Sequence, residues 1–434
     1  MNFELATLGE IALGSSGAVD GPFGSNLKAS SYTESGVPVI RGSNLSLGLD
    51  EFKPDEFVYV GDETFSRLAR SECLPQDIIF TKKGTLGQTG FVPPEPYSSY
   101  LVSSNQMRLR VDPKKANPKY VYYWVSSKKA IDKIRGESEH TGVPKINLDY
   151  LKKFPINLPT LSYQDNAVQI LDNLNDKIAL NFQTNQTLEE VAQTIFKSWF
   201  VDFAPVKAKM SGEQPEGMDA ATASLFPEKL DSETGLPEGW KLSEIGDEVT
   251  VVGGGTPSKK NDDFWVDGHI HWTSPKDLSG VQDKVLLDTT SKVTEAGLKK
   301  ISSGLLPVDT VLLSSRAPVG YLALAKVPMA INQGYIAMKC EKLLPPEFVI
   351  QWCVHRMDEI KQRASGSTFA EISKKSFKPI SVVVPSEDTL NAYQKIVKPL
   401  YDAITSNARQ NEQLSSLRDT LLPKLLSGEL SISD

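Results

Sequence analysis

LDNLNDKIALNFQTNQTLEEVAQTIFKSW, residues 171–199, and VKPLYDAITSNARQNEQLSSLRDTLLPKL, residues 397–425, carry the reading on which the fold turns. In the first stretch Leu171, Ile178, Asn185, Ala192 and Trp199 form one seven-residue row, and Leu174, Asn181, Leu188 and Ile195 form the other, the two-row seam of a coiled coil. In the second the rows are Val397, Ile404, Asn411, Arg418, Leu425 and Leu400, Asn407, Leu414, Leu421, the same pattern shifted by 226 (397 minus 171). Each stretch puts two asparagines in its apolar seam. A buried amide without a partner costs about 1–3 kcal/mol, so the pattern predicts that the two helices pair with each other in antiparallel fashion. Residues whose numbers sum to 592 then face one another: Asn181 meets Asn411, Asn185 meets Asn407, Leu188 meets Ile404 and Ile195 meets Val397. The alternative, two amphipathic helices packing separately, leaves the amides to water.

The shift extends beyond the helices. Ala6–Ile11 resembles Trp240–Ile245, Leu74–Phe80 resembles Leu306–Leu312, and Gly87 matches Gly320. Asn105-Gln106 matches Asn332-Gln333, Tyr120–Trp124 matches Phe348–Trp352, and Phe154–Ile156 matches Lys378–Ile380. These matches are collinear, so the chain is a tandem repeat. The first part of each repeat carries short apolar runs such as Val37–Ile40 and Val311–Leu313 between Gly, Pro, Asn and Asp, with a helix near Tyr120–Ile134 or Phe348–Arg363. The second part begins after Pro159 or Pro385 and reads as one long helix running to Pro205 or Pro423. The expected fold is mixed α+β: two strand-rich globules joined by two long helices in an antiparallel coiled coil with pseudo-two-fold symmetry. The expected segments are 1–158 and 239–385 for the globules, 159–204 and 386–434 for the helices, and 205–238 for a connector.

At 434 residues, 40% hydrophobic and 23% charged, the chain is globular and long enough for several domains. No apolar run is long enough to span a membrane, and Met1–Glu4 opens no signal peptide, so a cytoplasmic protein is expected. The net charge of −7 is uneven: residues 159–230 hold 5 basic against 10 acidic side chains, while 1–158 hold 19 against 18. Whole-chain acidity therefore does not exclude DNA.

Little points to catalysis. Cys73, Cys340 and Cys353 have no metal or disulfide spacing, and His269 and His271 lack a third ligand. The run Gly253–Lys260 lacks the phosphate-loop pattern, Glu359–Lys361 is a nuclease-like tripeptide on an expected helix, and no dinucleotide fingerprint occurs. No metal and no cofactor are expected on this chain.

What remains is recognition. Arg, Asn and Gln form paired bonds with base edges, and Lys neutralises phosphates. Candidate DNA contacts are Arg41, Ser43, Asn44, Lys82, Lys83, Gln106 and Arg108 in the first globule, with Asn105 and Arg110 beside them. In the second they are Thr256, Ser258, Lys259, Lys260, Lys276, Ser315, Arg316, Gln333, Lys374 and Lys375, with Ser314 and Asn332 beside them.

Three motifs resemble those of the specificity subunits of Type I restriction-modification systems. Phe196–Val206 with Gln214–Asp219 and Leu225–Pro227 resembles their central conserved region. Leu236–Trp240 with Gly255–Ser258 resembles the opening of a target-recognition domain, and Leu421–Glu429 the C-terminal conserved region. The first globule departs by lacking the Leu-Pro-x-Gly-Trp start and the G-x-T-P-S loop. The resemblance implies a non-catalytic subunit whose two recognition domains each read half of a bipartite site in double-stranded DNA. The coil would set the spacer and dock two methyltransferase subunits carrying S-adenosylmethionine, through Phe196, Trp199, Phe200, Phe203, Leu421, Leu422 and Leu425. Motor-nuclease subunits would join for cleavage. Two other readings stay open: the recognition half of a fused restriction-modification polypeptide or a chain with cryptic activity of its own, and a coiled-coil scaffold whose globules bind protein.

Overall fold

The computed structural model describes residues 3–49, 52–53, 57–138, 143–366 and 370–431. They form two compact units, Met1–Asp176 with Leu414–Asp434, and Lys177–Gln413.

In the first unit, β1 (Ala18–Asp20), β2 (Val37–Ile40), β3 (Ile78–Thr81), β4 (Thr89–Phe91), β5 (Tyr100–Val102) and β6 (Gln106–Leu109) build the globule's sheets. One sheet has the order β1-β6-β3-β4, and in the other β2 and β5 lie side by side and parallel. The apolar runs that suggested strands are buried apart from half-buried Val37, with Ile78 and Ile79 wholly inaccessible. Where one helix was expected over Tyr120–Ile134 there are two, α1 (Pro118–Val125) and α2 (Lys128–Gly136). The break comes at Ser126-Ser127, because the Ser127 side chain turns back to accept the amide of Ala130 and caps a new helix. A third helix, α3 (Leu161–Phe200), begins in this unit.

The second globule repeats the plan with β7 (Thr250–Val252), β8 (Ile270–Thr273), β9 (Val311–Ser314), β10 (Leu322–Ala325), β11 (Met329–Ile331) and β12 (Tyr335–Lys339). Its larger sheet runs β7-β12-β9-β10, extended by Val285–Leu286, and β8 lies parallel to β11. The helix expected over Phe348–Arg363 is again two, α4 (Pro346–His355) and α5 (Met357–Gln362). Trp124 on α1 and Trp352 on α4 each donate an indole N–H to a strand carbonyl, of Pro155 and Ser381 respectively. The last helix is α6 (Glu387–Ser427).

α6 did not stop at Pro423, and it also contains Pro399. An interior proline removes a helix hydrogen bond and costs about 3 kcal/mol. The loss at Pro399 is offset by burial on either side, where Val397, Tyr401 and Ile404 are wholly inaccessible.

The two long helices pair as the asparagines required. In the second unit Asn181 Nδ2 donates to Asn411 Oδ1 at 2.8 Å, and Asn407 Nδ2 donates to Asn185 Oδ1 at 2.9 Å. Asn181, Asn185 and Asn411 are all buried. In the first unit the tail of α6 returns antiparallel along the start of α3, and Tyr163 donates to the carbonyl of Leu425.

Backbone bonds correct three of the repeat matches. Lys82 N donates to Asn105 O, and Ser315 N donates to Gly334 O, so Asn105 is equivalent to Gly334. The turn Ser103-Ser104-Asn105 therefore corresponds to Asn332-Gln333-Gly334, two residues from the Asn-Gln match. Gly9 N to Lys152 O and Gly246 N to Lys378 O likewise make Gly9 equivalent to Gly246, three residues from the Ala6–Ile11 match, and Lys152 equivalent to Lys378, two residues from the Phe154–Ile156 match.

Candidate nucleic-acid interface

Each globule carries a loop laid across a turn. In the first, the loop after β1, Gly21-Pro22-Phe23-Gly24-Ser25, crosses the Ser103–Asn105 turn, with Gly21 N donating to Gln106 O. In the second, the loop after β7, Gly253–Ser258, crosses the Asn332–Gly334 turn, with Gly255 N donating to Ile331 O. The crossings are so close that a Cβ on Gly21 would strike the Ser103 carbonyl, and one on Gly254 the Ile331 carbonyl. Phe23 is 81% exposed on the first loop. Sequence reasoning missed this loop. The signal was there: a short strand, Ala18–Asp20, followed by glycines, as at Thr250–Val252.

Beside the first turn lies an open polar cleft of about 490 Å³ whose lining includes Arg41, Ser43, Lys83, Asn105 and Gln106 from the candidate set, and also Tyr32, Thr85, Gln88 and Ser104. Gln88 fastens the cleft wall: its Nε2 donates to the carbonyls of Gly42 and Leu45, and its Oε1 accepts from Thr81 Oγ1.

Several candidates are structural instead. Asn44 is fully buried, its Oδ1 accepting the Arg41 amide at 2.9 Å and its Nδ2 donating to Lys53 O. Gln106 is buried under the turn and accepts from Ser103 Oγ. Arg108 is 4% exposed and donates to the carbonyls of Glu72 and Ser16, and burial works against its charge. Arg110 makes a two-pronged pair with Asp77, both bonds at 2.8 Å, which holds its pKa up. Lys82 pairs with Asp20 at 3.0 Å. Asn44, Gln106 and Arg108, buried and satisfied, cannot reach a groove without unfolding their surroundings, whereas Arg110 and Lys82 are half-buried.

In the second globule Ser314 and Ser315 are buried, the first accepting the amides of Gly320 and Tyr321. Asn332 accepts the Gly334 amide and shapes the turn. Ser258, Lys259, Lys260, Lys276, Lys374 and Lys375 are exposed, and Lys374 lies along the Gly253 backbone. Lys276 stands on a short helix, Pro275–Leu278, capped by Asp277. Burial pushes the Asp277 carboxyl up, but hydrogen bonds from Ser274 and Thr290 outweigh it and keep it below the usual range. Gln333 is exposed at the tip of the turn, and its Oε1 accepts from Thr256 Oγ1 at 2.6 Å. Arg316 faces Glu371 at 3.8 Å.

The proposed docking residues are mostly core. Phe196, Trp199 and Phe200 are at most 5% exposed, in an aromatic cluster with Phe348, Tyr393, Phe226 and Trp240. Phe203 packs on Trp240. Leu422 and Leu425 are buried in the first unit's core, with Leu421 half-buried beside them. These side chains are large and apolar because they seal helix onto globule, which leaves little of them for a partner.

His269 and His271 face separate carboxylates, Glu295 and Asp288. No set of three metal-ligating side chains occurs among the described residues. No helix among them is long and apolar enough to cross a membrane.

The Type I restriction modification DNA specificity domain matches residues 29–190 and again residues 237–416. The specificity subunit of the type I restriction enzyme HindI from Haemophilus influenzae is 28% identical over 377 residues, 76% of this chain and 82% of that one. That of EcoR124I/EcoR124II from Escherichia coli is 26% identical over 315 residues, 70% of this chain and 68% of that one. The solved structure of a Type-I restriction-modification system S subunit from M. genitalium superimposes with a TM-score of 0.57 at 16% identity, covering 100% of this chain and 97% of that one, a likeness of fold. With two matched stretches spanning most of its length, the chain belongs to the specificity subunits of Type I restriction-modification systems, proteins of DNA sequence recognition.

Proposed function

We propose that each globule reads one half of a bipartite DNA target, that the helix pair sets the distance between the halves, and that the chain does no chemistry itself. The observation that carries this reading is the duplication of the loop-over-turn platform, once after β1 and once after β7, each on an equivalent sheet and each joined to a long helix. A 40-residue helix spans about 60 Å at ~1.5 Å per residue, enough to hold two readers on half-sites roughly 34–36 Å apart. Two methyltransferase subunits would supply S-adenosylmethionine and the transfer site, and motor-nuclease subunits would join for cleavage. With the aromatic residues committed to the core, the exposed face of α3, where Leu180 is open to solvent, is the better docking surface.

The test is a domain exchange in the whole complex. Replacing residues 1–158 with the corresponding part of another family member is expected to change one half of the methylated motif and keep the other. An unchanged motif overturns the two-reader scheme. Inserting one heptad into both helices, so that the amide pairs keep their register, is expected to lengthen the spacer by about three base pairs, since seven residues add ~10.5 Å and a base pair rises ~3.4 Å.

A further inference from the structure

We propose that Gln333 is the adenine reader of the second recognition domain and that Thr256 is its positioning residue, a division of labour that rests on reading this domain as a half-site reader. Gln333 stands exposed at the tip of a turn whose base is fixed: Asn332 N donates to Thr273 O at 2.9 Å, and the Gly334 amide is held by Asn332 Oδ1 at 2.8 Å. The loop carrying Thr256 is fixed as firmly. Gly255 N donates to Ile331 O at 2.9 Å, Gly255 O accepts from the Trp272 indole at 3.1 Å, and Ser258 O accepts from the Trp265 indole at 3.1 Å. Between these two rigid backbones the Thr256 hydroxyl donates to Gln333 Oε1 at 2.6 Å.

An exposed glutamine ordinarily samples many rotamers and can turn its amide over. Here the Thr256 hydroxyl, on its braced loop, donates to Oε1 and seats the amide with its oxygen on the Thr256 side. The second lone pair of Oε1 and the Nε2 protons remain for a ligand, an acceptor and a donor side by side at a known orientation. That pair matches adenine in the major groove, whose N6 amine donates and whose N7 accepts. It mismatches guanine, which presents two acceptors there. A turned-over amide would set its NH2 against the N6 amine, so the orientation held by Thr256 is what discriminates. At the equivalent tip the first domain has Ser104, which has one hydroxyl and no such two-pronged edge.

The test uses the full chain assembled with its methyltransferase partner and a random duplex library from which bound sequences are selected. The wild type should return a two-part motif with an adenine in the second half. Gln333→Ala should lose the preference at that one position, by roughly 5- to 150-fold, the range for a paired base contact, with the first half unchanged. 7-Deazaadenine at that position should weaken the wild type and leave Gln333→Ala unaffected. Thr256→Val should lower the adenine preference while Thr256→Ser keeps it. A Gln333→Ala complex that binds all sequences more weakly by one factor, or keeps every base preference, overturns the assignment, as does a Thr256→Val complex with unaltered discrimination. A wild-type complex that selects no motif sinks the reader scheme itself, a distinct result.

Discussion

The two recognition domains are keyed to the long helices by the same interaction with its partners exchanged. In the first, Tyr123 on α1 donates to Asp172 on α3 and accepts from Asn175 Nδ2 at 3.0 Å, while Arg418 of α6 donates to Asn175 Oδ1 at 3.0 Å. In the second, the residue equivalent to Tyr123 is Gln351, and the residue equivalent to Asn175 is Tyr401. Gln351 Nε2 donates to the Tyr401 hydroxyl at 2.8 Å and to Glu189 of α3 at 3.0 Å. An amide meets a phenol in both joints, but globule and helix have traded them, and the group supplied by the other long helix changes from a cation, Arg418, to a carboxylate, Glu189. Repeats keep an interaction where they do not keep the residues, and a search for like residues passes over it.

The largest effect separating the parts of the molecule is expected in the coil. Asn181→Leu with Asn411→Leu removes both members of one amide pair, and such paired replacements can be nearly neutral, whereas either single change leaves a buried amide at a cost of about 1–3 kcal/mol. Asn185 has a second duty, a hydrogen bond to Asp283, whose carboxyl is pushed up by burial and drawn down by that bond. Asn185→Leu with Asn407→Leu should therefore stay destabilised by about 1–3 kcal/mol, because Asp283 loses its donor. Denaturant unfolding of the two double variants measures the difference, and equal stabilities would remove Asp283 from the account. The pH dependence sharpens it. With its carboxyl above the ordinary range, folded Asp283 holds more proton than unfolded Asp283, so its contribution to stability rises as pH falls from neutral through that window. Asp283→Asn should flatten this slope.

The exchanged joints predict a smaller asymmetry. Gln351→Leu takes a donor from Glu189, a buried carboxylate left on Oε1 with Lys284 at 2.9 Å and Gln193 Nε2 at 3.3 Å, and with Oε2 already unpartnered. The expected loss is about 1.5–3 kcal/mol, as for hydrogen bonds to charged groups. Tyr123→Phe should cost nearer 1 kcal/mol, because Asp172 is a quarter exposed and keeps Lys119 at 3.0 Å. Hydrogen exchange along α1 and α4 reads each joint separately, and equal losses would count against the burial argument.

The helix pair was legible because regular elements report their environment at a fixed period: an asparagine on an apolar row has few ways to be satisfied, and pairing to a sum of 592 follows from arithmetic. Turns have no period. The segment between β4 and β5 is five residues longer than that between β10 and β11, so matching by residue type slipped and aligned buried Gln106 with exposed Gln333. Burial of polar side chains was equally hidden. Nothing in the sequence distinguishes Arg108, which bridges two carbonyls, from Lys83, which stands exposed. The aromatic run from Phe196 to Phe203 was read as a docking surface because it resembles a family motif, but rings of that size serve first to fill the joint between helix and globule.

Lys83 and Arg316 occupy equivalent positions, each two residues beyond the end of β3 or β9, and there the two domains differ in charge. Lys83 bridges through its backbone to Lys145, Arg316 to Glu371. Glu371 offsets the second cation, while Lys145 adds to the first. The Arg316–Glu371 pair is long and half-exposed, so its contribution to stability is at most about 1 kcal/mol and Glu371→Gln should scarcely move the unfolding midpoint. Its effect on DNA should be larger than that on folding. Each phosphate neutralised adds about 0.9 to the slope of log affinity against log salt, so an Arg316 released by Glu371→Gln to meet a phosphate should steepen the salt dependence of the complex by up to that amount. Lys83→Gln should make it shallower by a similar step. Salt titrations of the two variants on one duplex decide the point, and unchanged slopes in both would take this pair of cations out of the interface.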